Sequence, residues 1–385
     1  MNEEMIFDEN ELEFERDAEQ FCAEEIAPLA KEIEDNDQIP EVIYEKLKEK
    51  GYFGLSFPAE YGGLGKGVVY HCIAVEQLAQ ACGCVSMSRN ASVYSATPIN
   101  LFGTPEQKEQ FLRPIAEGKS LGSICITEPN VGSDTAGMET TAILDGDEWV
   151  INGEKRFITN GGYGQNTVWC ITNKDVNPHH GMSCIIVPKD TPGITIIKQH
   201  PLLGMRGVKN SYMRFEDVRV PRENLLGSEG DGFKILMTMF TIERATAGSE
   251  STGLALGAIK ACEDYAKKRV QFGKLIYQFQ AVQFDIAEMA TKLYAARLMT
   301  FNVARAIDAG KNPFMEAAMT KLFASEAGSE ITNKAVCLLG GDGYTKDYPV
   351  ERYLRDMKLM QIGGGSSNIQ RLIIGRQIFP KKNED

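Results

Sequence analysis

Apolar and polar positions along this chain change period twice. From Asn10 to about Gly118 the pattern is mostly helical. Leu12, Phe14, Ala18, Phe21, Cys22 and Ile26 make an apolar stripe at near-helical spacing. Gly51, Pro58, Gly62, Gly63 and Gly65 break the pattern between helices. Pro105 after Thr104 marks a further helix start, with Glu106 and Glu109 suited to its first turns. From about Ser120 to Val220 the period shortens. Glu148-Trp-Val-Ile-Asn152 alternates, and Asn152-Gly153 predicts a hairpin turn. β-Branched runs at 167–172, 183–187 and 193–197, then 212–215 leading into 216–221, predict short antiparallel strands. After Gly232 the helical period returns over 233–267, 281–309, 313–338 and 350–359, punctuated by Gly310, Gly340, Gly341 and Gly343. Long helices joined by short turns predict a bundle. The expected fold is α+β: an N-terminal helical domain over 1–119, a central antiparallel β-barrel or sandwich over 120–232, and a C-terminal four-helix bundle over 233–385. No G-x-G-x-x-G follows a strand, which argues against a Rossmann-type dinucleotide site.

Composition narrows the class of protein. The chain has 385 residues, 43% hydrophobic and 24% charged, as in ordinary soluble globular proteins. A net charge of -12 and a pI near 5 argue against nucleic acid as the main partner. No apolar run approaches the ~18 residues of a membrane span. The acidic N-terminus has neither the basic nor the apolar region of a signal peptide, so a cytoplasmic protein is expected. Nine cysteines without a paired C-x-x-C are expected to be reduced and mostly buried. His179-His180 lacks metal-ligand spacing, and no metal is expected.

Several motifs stand in a fixed order: Phe53-Gly-Leu-Ser-Phe-Pro-Ala-Glu-Tyr-Gly-Gly-Leu-Gly65, Ile126-Thr-Glu-Pro-Asn-Val-Gly-Ser-Asp134, Phe157-Ile-Thr-Asn-Gly161 and Leu203-Gly-Met-Arg-Gly207. There follow Phe215-Glu-Asp-Val-Arg-Val-Pro221, Arg269-Val-Gln-Phe-Gly-Lys274 with Gln280, Gly340-Gly-Asp-Gly-Tyr344, and Tyr348-Pro-Val-Glu-Arg-Tyr-Leu-Arg-Asp356. Taken alone, the glycine-rich turns are structural and the threonines are ordinary strand residues. Together and in this order they resemble the acyl-CoA dehydrogenase family from end to end, with Val131 where a small residue is usual. The resemblance implies FAD. Thr127 would bond near the pyrimidine end of the flavin and Thr159 near N5, with Phe157 in the same segment. Ser133 would lie near the flavin or the pantetheine arm of the substrate. Arg269, Phe272 and Gln280 match positions that hold the adenine and pyrophosphate of a neighbouring subunit's FAD. Arginine suits a pyrophosphate through charge and paired donors. Gly341, Ser366 and Asn368 match further FAD contacts, whereas Cys337 stands where a glutamine usually meets the cofactor.

The family's chemistry is α,β-dehydrogenation of an acyl-CoA thioester: a base removes the α-proton while a β-hydride passes to the flavin. Its usual base is a glutamate in a Tyr-Glu-Gly-Thr run. Here that stretch reads Gln361-Ile-Gly-Gly-Gly-Ser-Ser-Asn368, and the glutamate position falls on Gly364. Phe240-Thr-Ile-Glu-Arg-Ala245 is similar to the segment that carries the base in the isovaleryl-CoA and long-chain branches, at the position of Glu243. On its own, Glu243 reads as a helix residue paired with a surface lysine or with Arg244; the empty loop position turns the expectation to catalysis. The backbone N–H of Gly364 would bond the thioester oxygen, and Arg244 would help hold CoA. Thr241 replaces an aspartate that some relatives use on pantetheine. Gly363 and Gly364 remove bulk beside the α- and β-carbons. This predicts a branched, cyclic or aryl-bearing acyl group, although three glycines also suit a mobile loop. Arg89 could receive a distal carboxylate of the substrate, but a solvated surface arginine is the favoured expectation.

The leading expectation is a dehydrogenase that passes electrons to an electron-transfer flavoprotein, assembled as a homotetramer (a dimer of dimers) or a homodimer. The alternatives are an acyl-CoA oxidase or enoyl-CoA reductase relative, and an inactive acyl-CoA-binding scaffold. Typical oxidases of the family carry a further C-terminal domain, which is not expected here.

Overall fold

The structure, a computed structural model, describes residues 3–379; the ends of the expected first and last domains, 1–2 and 380–385, lie outside the described residues. The N-terminal part is helical: α1 (Glu9–Phe21), α2 (Ala30–Asn36), α3 (Glu41–Glu49), α4 (Val68–Ala81), α5 (Gly83–Phe102), α6 (Pro105–Gln107) and α7 (Arg113–Ala116). Two of these helices start at reciprocal caps. Asp8 and Glu11 satisfy each other's backbone N–H groups at α1, and Thr104 and Gln107 do so at α6. The middle part holds β1 (Gly122–Cys125), β2 (Thr141–Asp145), β3 (Glu148–Thr159), β4 (Gln165–Ile171), the short α8 (Pro178–Gly181), β5 (Met182–Val187), β6 (Ile194–Gln199) and β7 (Asn210–Pro221). Next come α9 (Gly232–Ala266), a small hairpin of β8 (Val270–Gln271) and β9 (Lys274–Leu275), and α10 (Gln280–Asp308). The last helices are α11 (Phe314–Leu339), α12 (Val350–Met360) and α13 (Ser367–Ile378).

Two expectations for the sheet need correction. Its strands run β1-β4-β2-β3-β7-β6, with β5 also on β4, and β1 and β2 lie parallel to β4. The middle part is therefore mixed and not wholly antiparallel. Asn152-Gly153 is also not a hairpin turn. β3 runs straight through it, because both flanks pair with β7, and the register shift between Ile151 and Gly153 reflects one extra residue of β7 between Phe215 and Val218. The hairpin before β3 turns at Gly146-Asp147, where Gly146 has φ +64°.

α9 is the central helix of the C-terminal part and is buried over most of its circumference. Its small residues let neighbours approach: a Cβ on Gly253 would stand 2.2 Å from the Glu76 carbonyl of α4. A fully buried ion pair, Arg297 to Glu76 at 2.8 Å, ties α10 to α4, and Thr252 of α9 donates to the same carboxylate at 2.6 Å. The helices are tied to the sheet through Asn160, at the end of β3. Its amide donates to the Ser88 carbonyl of α5 at 2.7 Å, and the Ser88 hydroxyl donates back at 2.9 Å. These contacts tie α9 and α10 to α4, and α5 to the end of β3.

Candidate active site

Glu243 lies in the first half of α9, half-buried, and among the described residues no protein donor reaches its carboxylate. Desolvation raises its pKa to about 7, against the opposing charges of Arg244 and Lys321. The turn between α12 and α13 brings Gly364 against it. Gly364 has φ +63°, and a Cβ placed there would stand 2.9 Å from Glu243 Oε1. The two positions, about 120 residues apart in sequence, therefore open on one spot. A side chain at 364 and a carboxylate at 243 would compete for it. The Gly364 N–H has no acceptor among the described residues. Gly363 is exposed, and a Cβ there would come no nearer than 3.7 Å to Leu359.

The glycine turn is anchored. Lys321 of α11 donates to the Gly365 carbonyl at 2.7 Å, and Gln370 of α13 reaches the Gly364 and Gly365 carbonyls at 3.2 and 2.9 Å. Sequence reasoning missed both residues. The available signal for Lys321 was a charge set among Ala317, Ala324 and Gly328 on a small-residue helix face. Tyr94 of α5 faces both Glu243 and Glu250, and burial raises its pKa. Glu250, two turns along α9, accepts from Asn90 at 3.0 Å, and burial raises its pKa to about 8.

Other expected substrate residues sort unevenly. Arg244 is buried between the rings of Phe240 and Phe314, with Nε and Nη1 unpartnered, and desolvation lowers its pKa to about 10. Thr241 spends its hydroxyl on the Met237 carbonyl of its own helix. Arg89 corrects the favoured expectation, because it is not a solvated arginine but is fully buried. Its guanidinium donates to the Tyr52 carbonyl, to Asn90 at 3.0 Å and to His71 at 2.9 Å. Burial keeps that imidazole neutral and able to accept. Protein partners thus take up its donors, which leaves no support for a distal carboxylate on Arg89.

Of the expected cofactor residues, Thr127, Phe157 and Thr159 come together at one end of the sheet. The Thr127 carbonyl accepts from the Arg156 N–H at 2.7 Å, which places Thr127 beside Phe157. Phe157 is 52% exposed at φ +62°, a conformation unusual for an aromatic residue. Arg156 Nε, His200 Nε2 and Asn210 Oδ1 around it are buried without partners. Ser133 is exposed in the loop after β1, and Ser366 caps α13 with Asn368 in the first turn. Arg269, Phe272 and Gln280 are exposed on and after the β8–β9 hairpin, at the far end of α9. Tyr265 joins that end to the Gly341 turn through a 2.6 Å bond to Asp342, and Cys337 is exposed on the last turn of α11 nearby. At 1.5 Å per residue, the C-terminus of α9 lies roughly 35 Å from Glu243.

Family models described as the acyl-CoA dehydrogenase N-terminal, middle and C-terminal domains match residues 8–119, 123–218 and 230–379. This chain belongs to the acyl-CoA dehydrogenase family. It is 44% identical to a probable acyl-CoA dehydrogenase, YngJ, of Bacillus subtilis, over 93% of this chain and 95% of that protein. An acryloyl-CoA reductase (NADH) of Anaerotignum propionicum is 40% identical, over 94% of this chain and 93% of the relative. The solved butyryl-CoA dehydrogenase of Megasphaera elsdenii superposes with a TM-score of 0.94 at 35% identity, covering 97% of this chain and 98% of that one. As an acyl-CoA dehydrogenase the chain is a flavoprotein oxidoreductase that carries FAD. Its residues fit that cofactor: an exposed aromatic at positive φ and three orphaned polar atoms lie where Thr127 and Thr159 converge. No helix among the described residues is long and apolar enough to cross a membrane, and no metal-holding cluster occurs among them.

Proposed function

We propose that this acyl-CoA dehydrogenase removes the α-proton of its thioester with Glu243, and that Gly364 supplies the N–H that bonds the thioester oxygen. The observation that carries this is the approach of a Gly364 Cβ to within 2.9 Å of Glu243 Oε1. The loop leaves vacant the volume that the base occupies from α9. The α-proton of a thioester is weakly acidic, so base and oxyanion donor must act together. A carboxylate raised to about 7 is a stronger base than a solvated one and is less costly as the neutral acid afterwards. An N–H without a protein acceptor is free to bond the developing oxyanion. Bound FAD supplies the hydride acceptor. Thr127, Phe157 and Thr159 would hold its ring and Ser133 its flank, with Ser366 and Asn368 adding contacts from the glycine turn. Arg244, orphaned between two rings, would meet the CoA portion.

The glycines at 363 and 364 favour a branched, cyclic or aryl-bearing acyl group, because no side chain crowds the α- and β-carbons from that side. Arg269, Phe272, Gln280, Gly341 and Cys337 lie too far from Glu243 to share its cofactor. They would serve the FAD of a partner subunit, in at least a dimer. The electron acceptor would be an electron-transfer flavoprotein in the cytoplasm. The similarity to an acryloyl-CoA reductase favours a second reading, in which the same site runs toward reduction.

The test is anaerobic bleaching of the flavin by straight, branched, cyclic, aryl and dicarboxylyl CoA esters, on wild type and Glu243→Gln. The variant should bind ester yet bleach ~10²–10⁴-fold more slowly. Bleaching at the wild-type rate would move the base elsewhere. A straight-chain ester as the best substrate would overturn the acyl class.

A further inference from the structure

We propose that Lys321 and Gln370 are positioning residues that clamp the Gly364 and Gly365 carbonyls, thereby aiming the Gly364 N–H, while the Lys321 charge also acts on the Glu243 carboxylate at longer range. The inference rests on Glu243 being the base. Three consecutive glycines have no side chains with which to fix a conformation, and such backbone is entropically costly to order. Gly364 and Gly365 are nonetheless held at φ +63° and +85°. On one side, the N–H groups of Ile362 and Gly363 both donate to Leu359, at 2.9 Å each. On the other, the Lys321 ammonium and the Gln370 amide pin the next two carbonyls, and both side chains are 1% exposed or less. Between these anchors the Gly364 N–H is left without a protein acceptor, on the same residue whose added Cβ would stand 2.9 Å from Glu243 Oε1.

A buried ammonium ordinarily needs a counterion. Among the described residues no carboxylate lies within 4 Å of Lys321, whose charge is spent on one carbonyl and on Glu243 at longer range. The groups facing Lys321 are Glu243 and Arg244 of α9 and Glu326 of its own helix. Tyr94 faces Glu243 from α5. Burial lowers the lysine's pKa to about 8, with Glu243 opposing that shift, so the ammonium and the ionised base coexist between about pH 7 and 8. Losing its charge should therefore make Glu243 harder to ionise.

The test uses the FAD-loaded enzyme and a 3-thia acyl-CoA. Sulfur at the β-position leaves no β-hydride to transfer, so α-proton exchange into D2O reads proton abstraction and oxyanion support alone. Lys321→Met should slow exchange at least tenfold and move the acid limb of its pH profile up by about one unit. Gln370→Leu should slow exchange several-fold with the limb unmoved, and Lys321→Arg should keep both rate and limb near wild type. Wild-type rate and limb in Lys321→Met, with exchange abolished in Glu243→Gln, would overturn the positioning role while leaving the base in place. Exchange that survives in Glu243→Gln would instead overturn the base, and the clamp's purpose with it. Should Lys321→Met fail to fold, wild-type exchange in Gln370→Leu would still overturn the clamp.

Discussion

Glu128 and Glu243 are both carboxylates within the field of a buried lysine, one in the middle sheet and one in the C-terminal helices. Glu128 accepts from Lys155 at 2.7 Å and from the backbone N–H groups of Glu139 and Thr140 at 2.6 and 3.0 Å. Lys155 donates further to the Ile126 carbonyl at 3.1 Å. Burial alone would raise the Glu128 pKa, but the Lys155 charge and these hydrogen bonds outweigh it and hold the carboxylate below its ordinary value. Glu243 has no such donors, its lysine is turned to a loop carbonyl, and its pKa is raised. The difference separates a carboxylate that builds a site from one that can work in it. Glu128 is satisfied and fixes the strand end carrying Thr127. Glu243 is left unsatisfied and able to take a proton.

The largest way to break this comparison is to exchange the consequences. Glu243→Gln should cost ~10²–10⁴-fold in flavin bleaching and leave resistance to urea intact or improved, since it relieves a desolvated acid. Lys155→Met should do the reverse in kind. Removing one partner of a buried pair leaves an uncompensated charge and costs about 3–5 kcal/mol, read as a lower unfolding midpoint. Equal destabilisation by both variants would erase the distinction.

The pH dependence of stability sharpens it with opposite signs. The Glu128 pKa is depressed on folding, so its contribution is present above pH 4.5 and is lost as pH falls through its folded value. The Glu243 pKa is raised on folding, so stability declines as pH rises from 4.5 to about 7 and levels off above that. Urea midpoints measured across this range should show that decline flattened in Glu243→Gln. Glu128→Gln should instead lose stability at neutral pH and converge on wild type in acid. Parallel profiles for the two variants would refute the assignment.

Most of the frame was legible because it rests on local periodicity. The helices α9 to α12 lie within about a residue or two of their expected bounds, whereas α13, which follows the glycine turn, was not expected. What escaped the sequence depends on distant partners. Asn152-Gly153 is a strong local turn signal, but pairing to β7 on both flanks keeps it within the strand, opposite a bulge in β7. The parallel pairings to β4 join strands whose contact no local pattern encodes. Arg89, Lys155 and Lys321 were missed or misplaced for one reason: a charged residue is usually at the surface. Their burial depends on a carbonyl, an imidazole or a carboxylate supplied from elsewhere in the chain.

The smallest expected effect probes the vacancy itself. Gly363→Ala and Gly364→Ala differ by one position in the same turn. At 363 the added methyl meets only the Leu359 side chain and carbonyl at 3.7 Å, ordinary contact, and φ is not positive. At 364 the backbone is left-handed, which costs a residue with a Cβ about 1–2 kcal/mol, and the methyl presses on Glu243 Oε1. Glu243 would then yield by swinging away from the spot that it would share with the thioester. Gly364→Ala should therefore slow bleaching by about tenfold, the rate counterpart of about 1.4 kcal/mol, with the loss falling on the rate and less on ester binding. Gly363→Ala should remain near wild type with small esters and lose rate with bulky ones. Equal rates for the two variants on a bulky ester would mean that the space beside Glu243 is not what the glycines keep open.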